Sequence, residues 1–323
     1  TSRKVAHFYS ARNSADPDFS RLASAGQRGA GRIAHRVGDQ FSGRSVFCLA
    51  IKHWPQILIM LSVEQVRVSR RGVSILDGAT LSIRPGEVLG LLGANGAGKS
   101  TLLAALAGEL CADAGHILLD GAALATMPHP IQARRRAVLP QKPALSFDLS
   151  VNEVVAMGAY PFPELSSAQV WTLACRALAL ADVAHLAGRR YATLSGGEQQ
   201  RVQFARVLVQ CLAPAGGPTR YLLLDEPTAS LDPRHQIEVL RVAAVLAHEA
   251  GIGVLVVLHD INLAARWCDR LALLAEGRLA AVGEPARVLT ENNLRFAYGA
   301  PARVVAHPWV PGRVLVLFDE EGA

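Results

Sequence analysis

The stretch Gly93-Ala-Asn-Gly-Ala-Gly-Lys-Ser-Thr101 constrains the fold more than any other part of the 323-residue chain. The apolar run Val88–Leu92 leads in and the Leu/Ala run 102–107 leads out, in the order strand, glycine loop, helix. Glycines let successive backbone N–H groups turn toward an anion with no Cβ in the way. The helix that starts here adds unpaired N–H groups and the positive end of its dipole. Gly93, Ala94, Asn95, Gly96, Ala97, Gly98, Lys99, Ser100 and Thr101 are therefore the expected nucleotide-phosphate cradle. Lys99 supplies a mobile cation for the β- and γ-phosphates of a nucleotide, and Ser100 a hydroxyl for Mg²⁺.

Composition then narrows the possible partners. Half of the residues are apolar, enough to bury a full core. The formal charge of +6 suggests nucleic acid or phospholipid until it is located. Residues 1–60 hold nine Lys/Arg and three Asp, which accounts for all of it; the remainder balances 24 basic against 24 acidic residues. No nucleic-acid partner is expected for so neutral a body. The five cysteines (48, 111, 175, 211, 268) are scattered and form no C-x-x-C pair, which points to reduced thiols rather than a disulfide framework or zinc site. No apolar run reaches the roughly 18 residues of a membrane span; Phe47–Leu61 is broken by Lys52, His53 and Pro55.

Residues 1–59 are rich in Arg, Ser, Ala and Gly and lack a sustained period. They are expected to be an appendage, either a disordered tail or sequence upstream of a start at Met60; an organelle transit peptide is the competing expectation. Alternation begins at Leu61-Ser-Val-Glu-Gln-Val-Arg-Val68, and further strands are expected over about 75–83, 88–92 and 115–119. Residues 142–193 are expected to form a helical subdomain, with a capping box at Ser150–Glu153 and a second helix opened by Ser166–Gln169 and running to about Asp182. Tyr221–Asp225 and Gly253–Leu258 are continuous apolar runs, the pattern of strands buried on both faces of a parallel sheet. Between them Asp232 and Pro233 open a helix to about Glu249. A hairpin is expected over 271–282, and a β-rich appendix over about 284–323.

Two further stretches carry chemistry. Asp225-Glu226 closes a buried strand, where carboxylates face the ligand crevice of a parallel sheet. Asp225 is placed to hold Mg²⁺ through water, and Glu226 to take a proton from the water attacking the γ-phosphate. Leu194-Ser-Gly-Gly-Glu-Gln-Gln200 has capping-box spacing between Ser195 and Glu198, so a second helix with free N–H groups starts at Gly196 and Gly197. One γ-phosphate has no use for two such helix starts from a single copy unless they converge.

Leu194–Gln200 matches the signature motif of ABC transporter ATPases, and over about residues 61–290 the chain resembles that family. Gly93–Thr101 resembles its Walker A loop, Tyr221–Glu226 its Walker B strand and Ser230-Leu-Asp232 its D-loop. Gln141 resembles the Q-loop glutamine, and His259 the switch histidine. The resemblance implies an α/β P-loop NTPase fold: a RecA-like parallel core, an antiparallel β subdomain and a helical insertion. It implies ATP and Mg²⁺ as ligands, with Gln141 sensing the γ-phosphate and metal and His259 positioning the attacking water. It also implies a head-to-tail homodimer in which Ser195, Gly196, Gly197 and Glu198 serve the partner's nucleotide. The family's usual aromatic adenine platform is missing from Ser69–Val73, which leaves Arg70 or Arg71 to stack by its guanidinium face.

The helical stretch Val151–Gly158 with Tyr160-Pro-Phe-Pro163 resembles importers for iron-siderophores, cobalamin and haem. Gly197–Leu208 and the linker Ala213–Arg220 are most similar to haemin-import ATP-binding proteins. The resemblance implies two copies of a transmembrane permease, a periplasmic haem-binding protein reached through the complex, and a peripheral place on the cytoplasmic face of the bacterial inner membrane. Siderophore or cobalamin import is the alternative cargo. A soluble ABC protein acting on ribosomes or DNA is the alternative of another class.

Overall fold

The computed structural model describes residues 59–141, 148–214 and 220–319. The expectations for residues 1–58, for the first part of the helical subdomain (142–147) and for linker residues 215–219 lie outside the described residues.

Among the described residues the strands form three sheets. The largest contains β3 (Val88–Leu92), β6 (Arg136–Leu139), β7 (Tyr221–Asp225), β8 (Gly253–Val257), β9 (Arg270–Ala275) and β10 (Arg278–Gly283), in the order β10-β9-β3-β8-β7-β6. Neighbours are parallel except for the β9–β10 hairpin at the edge. Every residue of β3, β7 and β8 is buried, as their unbroken apolar runs require. Side chains alternate across the sheet and so feed two cores. Leu222, Leu224, Val254 and Val256 pack with Val202, Leu208 and Leu240 on one face. Tyr221, Leu223, Leu255 and Val257 pack with Leu102, Leu106 and Leu61 on the other.

That second core is roofed by an antiparallel sheet of β1 (Leu61–Arg70), β2 (Val73–Ile83), β4 (Ala114–Leu119) and β5 (Ala122–Ala123), in the order β2-β1-β4-β5. Arg71 and Gly72, at φ 52° and 78°, link Arg70 to its partner Val73. This two-residue turn has the positive φ values that match strand twist. The first core continues into the helical subdomain, where Val151, Val154 and Leu178 pack with helix Gly196–Leu212. The expected capping box is formed there on helix Val151–Ala156, and a second one, Ser166 with Gln169, opens helix Ser167–Leu180. The second helix stops two residues short of expectation, and Asp182 takes φ 54°.

Of the basic run 134–136, Arg134 and Arg135 are held in ion pairs and Arg136 is bound through one nitrogen. Arg134 pairs with Glu164 at 2.6 Å, Arg135 pairs with Asp120, and Arg136 donates to Gln132 at 3.1 Å. No helix among the described residues is long and apolar enough to cross a membrane.

The C-terminal segment departs from expectation. Residues 284–300 are helical rather than β-rich, in the pieces Pro285–Val288 and Glu291–Tyr298. Thr290 caps the latter and Gly299, at φ 70°, closes it. Eight residues give only two turns, too few for a 3.6-residue period to stand out. The β character is confined to the hairpin β11 (Ala302–Ala306) and β12 (Val314–Phe318).

Candidate functional site

The parallel register brings four chain segments out at one edge of the main sheet. Leu91 and Asp225 both lie opposite Val257, and Leu139 lies opposite Leu224. Gly93, Gln141, Glu226 and His259 therefore follow the carboxyl ends of four neighbouring strands, where open α/β sheets bind ligands.

The glycine loop runs from β3 into helix Lys99–Leu106. Gly93 has φ 150°, and a Cβ there would stand 2.2 Å from the Leu274 carbonyl oxygen. At Gly98, φ is 104° and the corresponding distance to the Ile75 carbonyl oxygen is 2.9 Å. Only glycine fits between the loop and these backbones. Gly98 also offers no side chain to cap the helix, so the first N–H groups remain available to an anion. Lys99 is buried, and its Nζ donates to the carbonyls of Gly93 at 2.7 Å and Ala94 at 3.0 Å. Burial lowers its pKa, while the carboxylates of Glu226 and Asp225 oppose that shift. Asn95 and Gly96 are exposed at the loop tip.

Glu226 joins three elements. One carboxylate oxygen accepts from Gln141 Nε2 at 2.7 Å, and the other lies 2.6 Å from His259 Nε2. Its backbone sits at φ 50°, and Ser230 in the following turn at φ 63°. Positive φ at non-glycine residues is a strain that clusters at functional sites.

Asp225, one residue earlier, faces the interior. It is buried, and its Oδ1 has no hydrogen-bond partner among the described residues. Burial raises its pKa first and the neighbouring Glu226 second; a hydrogen bond from Ser100 and the Lys99 charge act the other way. A buried carboxylate with a spare oxygen beside a serine hydroxyl is an all-oxygen donor pair suited to a hard divalent cation. Ser100 and Asp225 thus fit Mg²⁺.

Because the fold holds Asp225 against its own desolvation, Asp225→Asn should melt higher by about 2–4 °C per kcal/mol regained. Ionised Asp225 costs stability, so the gain is present above the raised pKa and shrinks as pH falls through it. The same variant should lose Mg²⁺-dependent nucleotide turnover. Melting curves at pH 8 and pH 5, with activity measured alongside, check both halves; a variant that melts lower at pH 8 contradicts the burial argument.

Ser195, Gly196, Gly197 and Glu198 do not join this cluster. Ser195 N–H donates to Glu198 Oε2 at 2.8 Å and Glu198 N–H to Ser195 Oγ at 3.4 Å, a closed capping box on helix Gly196–Leu212. The Ser195 N–H and the Ser195 hydroxyl, which donates to the same Glu198 Oε2 at 2.9 Å, hold the half-buried Glu198 carboxyl below its usual pKa. Ser195 and Gly196 are exposed, and Gly197 lies against the Ser230 carbonyl. The expected anion site at this helix start thus faces outward beside the D-loop. Arg70 and Arg71 are exposed at the tip of the β1–β2 hairpin, whose second strand abuts the glycine loop at Ile75.

One contact carried no sequence signal. Tyr298, from the C-terminal helix, accepts a hydrogen bond from Gly93 N–H at 3.1 Å. The two residues are 205 positions apart, and a lone tyrosine at a helix end gives no hint of it.

Comparison with known proteins fits this geometry. Residues 76–229 match the family model described as ABC transporter. The chain is 63% identical over 258 residues to the hemin import ATP-binding protein HmuV of Bordetella pertussis, covering 80% of this chain and 98% of that one. Among solved structures it is similar to a metal-chelate type ABC transporter in an inward-facing conformation, at TM-score 0.67 and 26% identity, covering 81% of this chain and 97% of that one. It is also similar to a bacterial ABC transporter cassette solved as a dimer, at TM-score 0.63 and 25% identity, covering 70% and 99%. With the glycine loop, the buried Asp225, the Gln141–Glu226–His259 cluster and the outward-facing signature helix all on one α/β frame, the chain belongs to the ABC transporter family as an ATP-binding subunit.

Proposed function

We propose that this subunit hydrolyses ATP to drive import of haem through a separate membrane permease. The observation that carries the hydrolytic part is the Glu226 carboxylate, shared between Gln141 and His259 at the sheet edge that also bears the glycine loop. The glycine loop and Lys99 hold the β- and γ-phosphates, with Lys99 exchanging its two carbonyl partners for phosphate oxygens. Ser100 and Asp225 would hold Mg²⁺, with Gln141 beside them, and the ion would supply neutralisation of the nucleotide's negative charge. Glu226 takes the proton of the attacking water, and His259 orients that water toward the γ-phosphorus. Arg70 or Arg71 stacks on the adenine.

Two copies act together head to tail. The exposed Ser195–Glu198 helix start of one copy supports this, because its N–H groups and hydroxyl suit an anion that its own glycine loop does not bring to it. The permease is received in a groove of about 460 Å³ lined by Glu109, Gln132, Arg136, Tyr160, Arg206 and Gln210. Arg136 Nε and Nη1 are buried there without partners among the described residues, donors suited to carbonyl or carboxylate oxygens on an incoming segment. Burial pushes the Arg136 guanidinium down to about 10, still charged at neutral pH. The subunit would then sit peripherally at the cytoplasmic face of the bacterial inner membrane, with a periplasmic haem-binding protein delivering cargo to the complex.

Haem as cargo is supported by the 63% likeness to a hemin import subunit over nearly all of that protein. Co-expression with a candidate haem permease, reconstitution in proteoliposomes and an uptake assay test the reading. ATP-dependent accumulation of haem is expected. Accumulation of a ferric siderophore or cobalamin instead of haem overturns the cargo, and co-sedimentation with ribosomes in place of a permease overturns the transport role.

A further inference from the structure

The ATPase site is braced from outside by the C-terminal segment Pro285–Phe318, and both braces land on parts of the site that move a phosphate or a water. The first is the Tyr298 hydroxyl on Gly93 N–H at 3.1 Å. The carbonyl of the same residue accepts from Lys99 Nζ at 2.7 Å, so Tyr298 and Lys99 hold the two sides of Gly93. Tyr298 is half-buried, its pKa pushed up to about 12 by desolvation, and it stays a neutral phenol. Its ring meets Phe318, the last residue of β12, edge-on with centroids 6.1 Å apart.

The second brace lies at the helix Ile261–Trp267, which Asp260 caps immediately after His259. Asn262 Nδ2 donates to the Val316 carbonyl at 3.1 Å, and Val316 N–H donates to Asn262 Oδ1 at 2.8 Å. One side-chain amide thus satisfies both backbone groups of a β12 residue, as a neighbouring strand would. At the other end of that helix, Arg313 Nη1 donates to the Cys268 carbonyl at 2.7 Å. The hairpin β11–β12 therefore holds the switch helix at both ends, and through Phe318 and Tyr298 it reaches the start of the glycine loop.

We infer that this segment is a positioning clamp for the ATPase site, with Tyr298 setting the first peptide of the glycine loop and Asn262 setting the helix behind His259. The inference rests on the ATPase reading above. Neither side chain touches the reacting atoms; each acts through a residue that does. Their consequences differ accordingly. The glycine loop grips phosphates in the ground state and the transition state alike, so loosening it weakens binding with little effect on turnover. The switch helix matters where the water is aligned, so loosening it lowers turnover with little effect on binding.

The test uses the full chain and three variants, Tyr298→Phe, Asn262→Ala and Asn262→Asp. Tyr298→Phe keeps the ring and removes one hydrogen bond, and it should weaken Mg-ATP binding by about threefold to tenfold, the range of one neutral hydrogen bond. Its kcat should stay within about twofold of the parent. Asn262→Ala should lower kcat by a similar factor with the Mg-ATP Kd within about twofold, and Asn262→Asp, which keeps the acceptor for Val316 N–H but sets a carboxylate oxygen against the Val316 carbonyl, should lower it at least as far. Amide hydrogen exchange followed by mass spectrometry supplies a readout independent of activity. Residues 88–98 should exchange faster in Tyr298→Phe, and residues 259–267 in Asn262→Ala. Folded variants with parental Kd, kcat and exchange overturn the clamp, as does an unprotected Gly93 amide in the unsubstituted protein. Absence of ATP turnover in the parent would instead count against the ATPase reading, while the exchange results would still decide the clamp.

Discussion

Glu226→Gln is expected to bind Mg-ATP and all but stop hydrolysing it. General-base catalysis contributes about 10²- to 10⁴-fold, so turnover should fall by at least two orders of magnitude. Glutamine keeps the shape and can still meet Gln141 and His259, both now 2.6–2.7 Å from the Glu226 carboxylate, but it cannot accept the water's proton. The variant also removes a negative charge beside the buried Asp225 and so lifts one of the two influences that raise the Asp225 pKa. Metal-dependent ATP binding should therefore persist. With ATP uncleaved, the closed pair of subunits should accumulate, visible by size-exclusion chromatography or light scattering with ATP and absent with ADP. Hydrolysis at the parental rate would remove Glu226 from the role of base. A variant that binds ATP and stays monomeric would undermine the shared-site arrangement.

Lys99→Ala is expected to lose most of its nucleotide affinity. Charge-assisted hydrogen bonds contribute about 1.5–3 kcal/mol, which corresponds to roughly 10- to 100-fold in Kd. The fold should tolerate the change. Lys99 is buried beside Asp225 and Glu226, and its own burial opposes its charge, so removing it exchanges a desolvation cost for the loss of two carbonyl contacts. Melting temperature is then expected to move little while calorimetry with Mg-ATP shows the loss. Unchanged affinity in a folded variant would mean that the glycine loop does not grip phosphate through this lysine.

Much of this was legible in the chain because the signals are local. A strand buried on both faces must be apolar along its length, and β3, β8 and β7 as far as its terminal Asp225 are. A helix start with a closed capping box needs Ser and Glu three apart, and Ser150, Ser166 and Ser195 each have their partner, glutamine in the second case. The order of phosphate loop, glutamine, signature, acidic strand end and histidine identified the family before any coordinate was needed. The helices between 284 and 300 were missed because two turns carry too little periodicity, although Thr290 and Gly299 mark the start and stop of the longer one.

What the sequence determined by itself was most of the elements, the helices of 285–298 excepted, and the chemical type of each site residue, since backbone preference and side-chain chemistry belong to each residue and its near neighbours. Only the tertiary structure decided which of those residues meet. Gln141 and His259 converge on Glu226 because β6, β7 and β8 are parallel and in register, a property of three separate segments together. Tyr298 reaches Gly93 across 205 residues because its helix packs against β9, β10 and β11, again a property of separate segments together. A hydrogen bond between distant residues leaves no mark on the local pattern of either, and its partners are set by how the strands and helices pack.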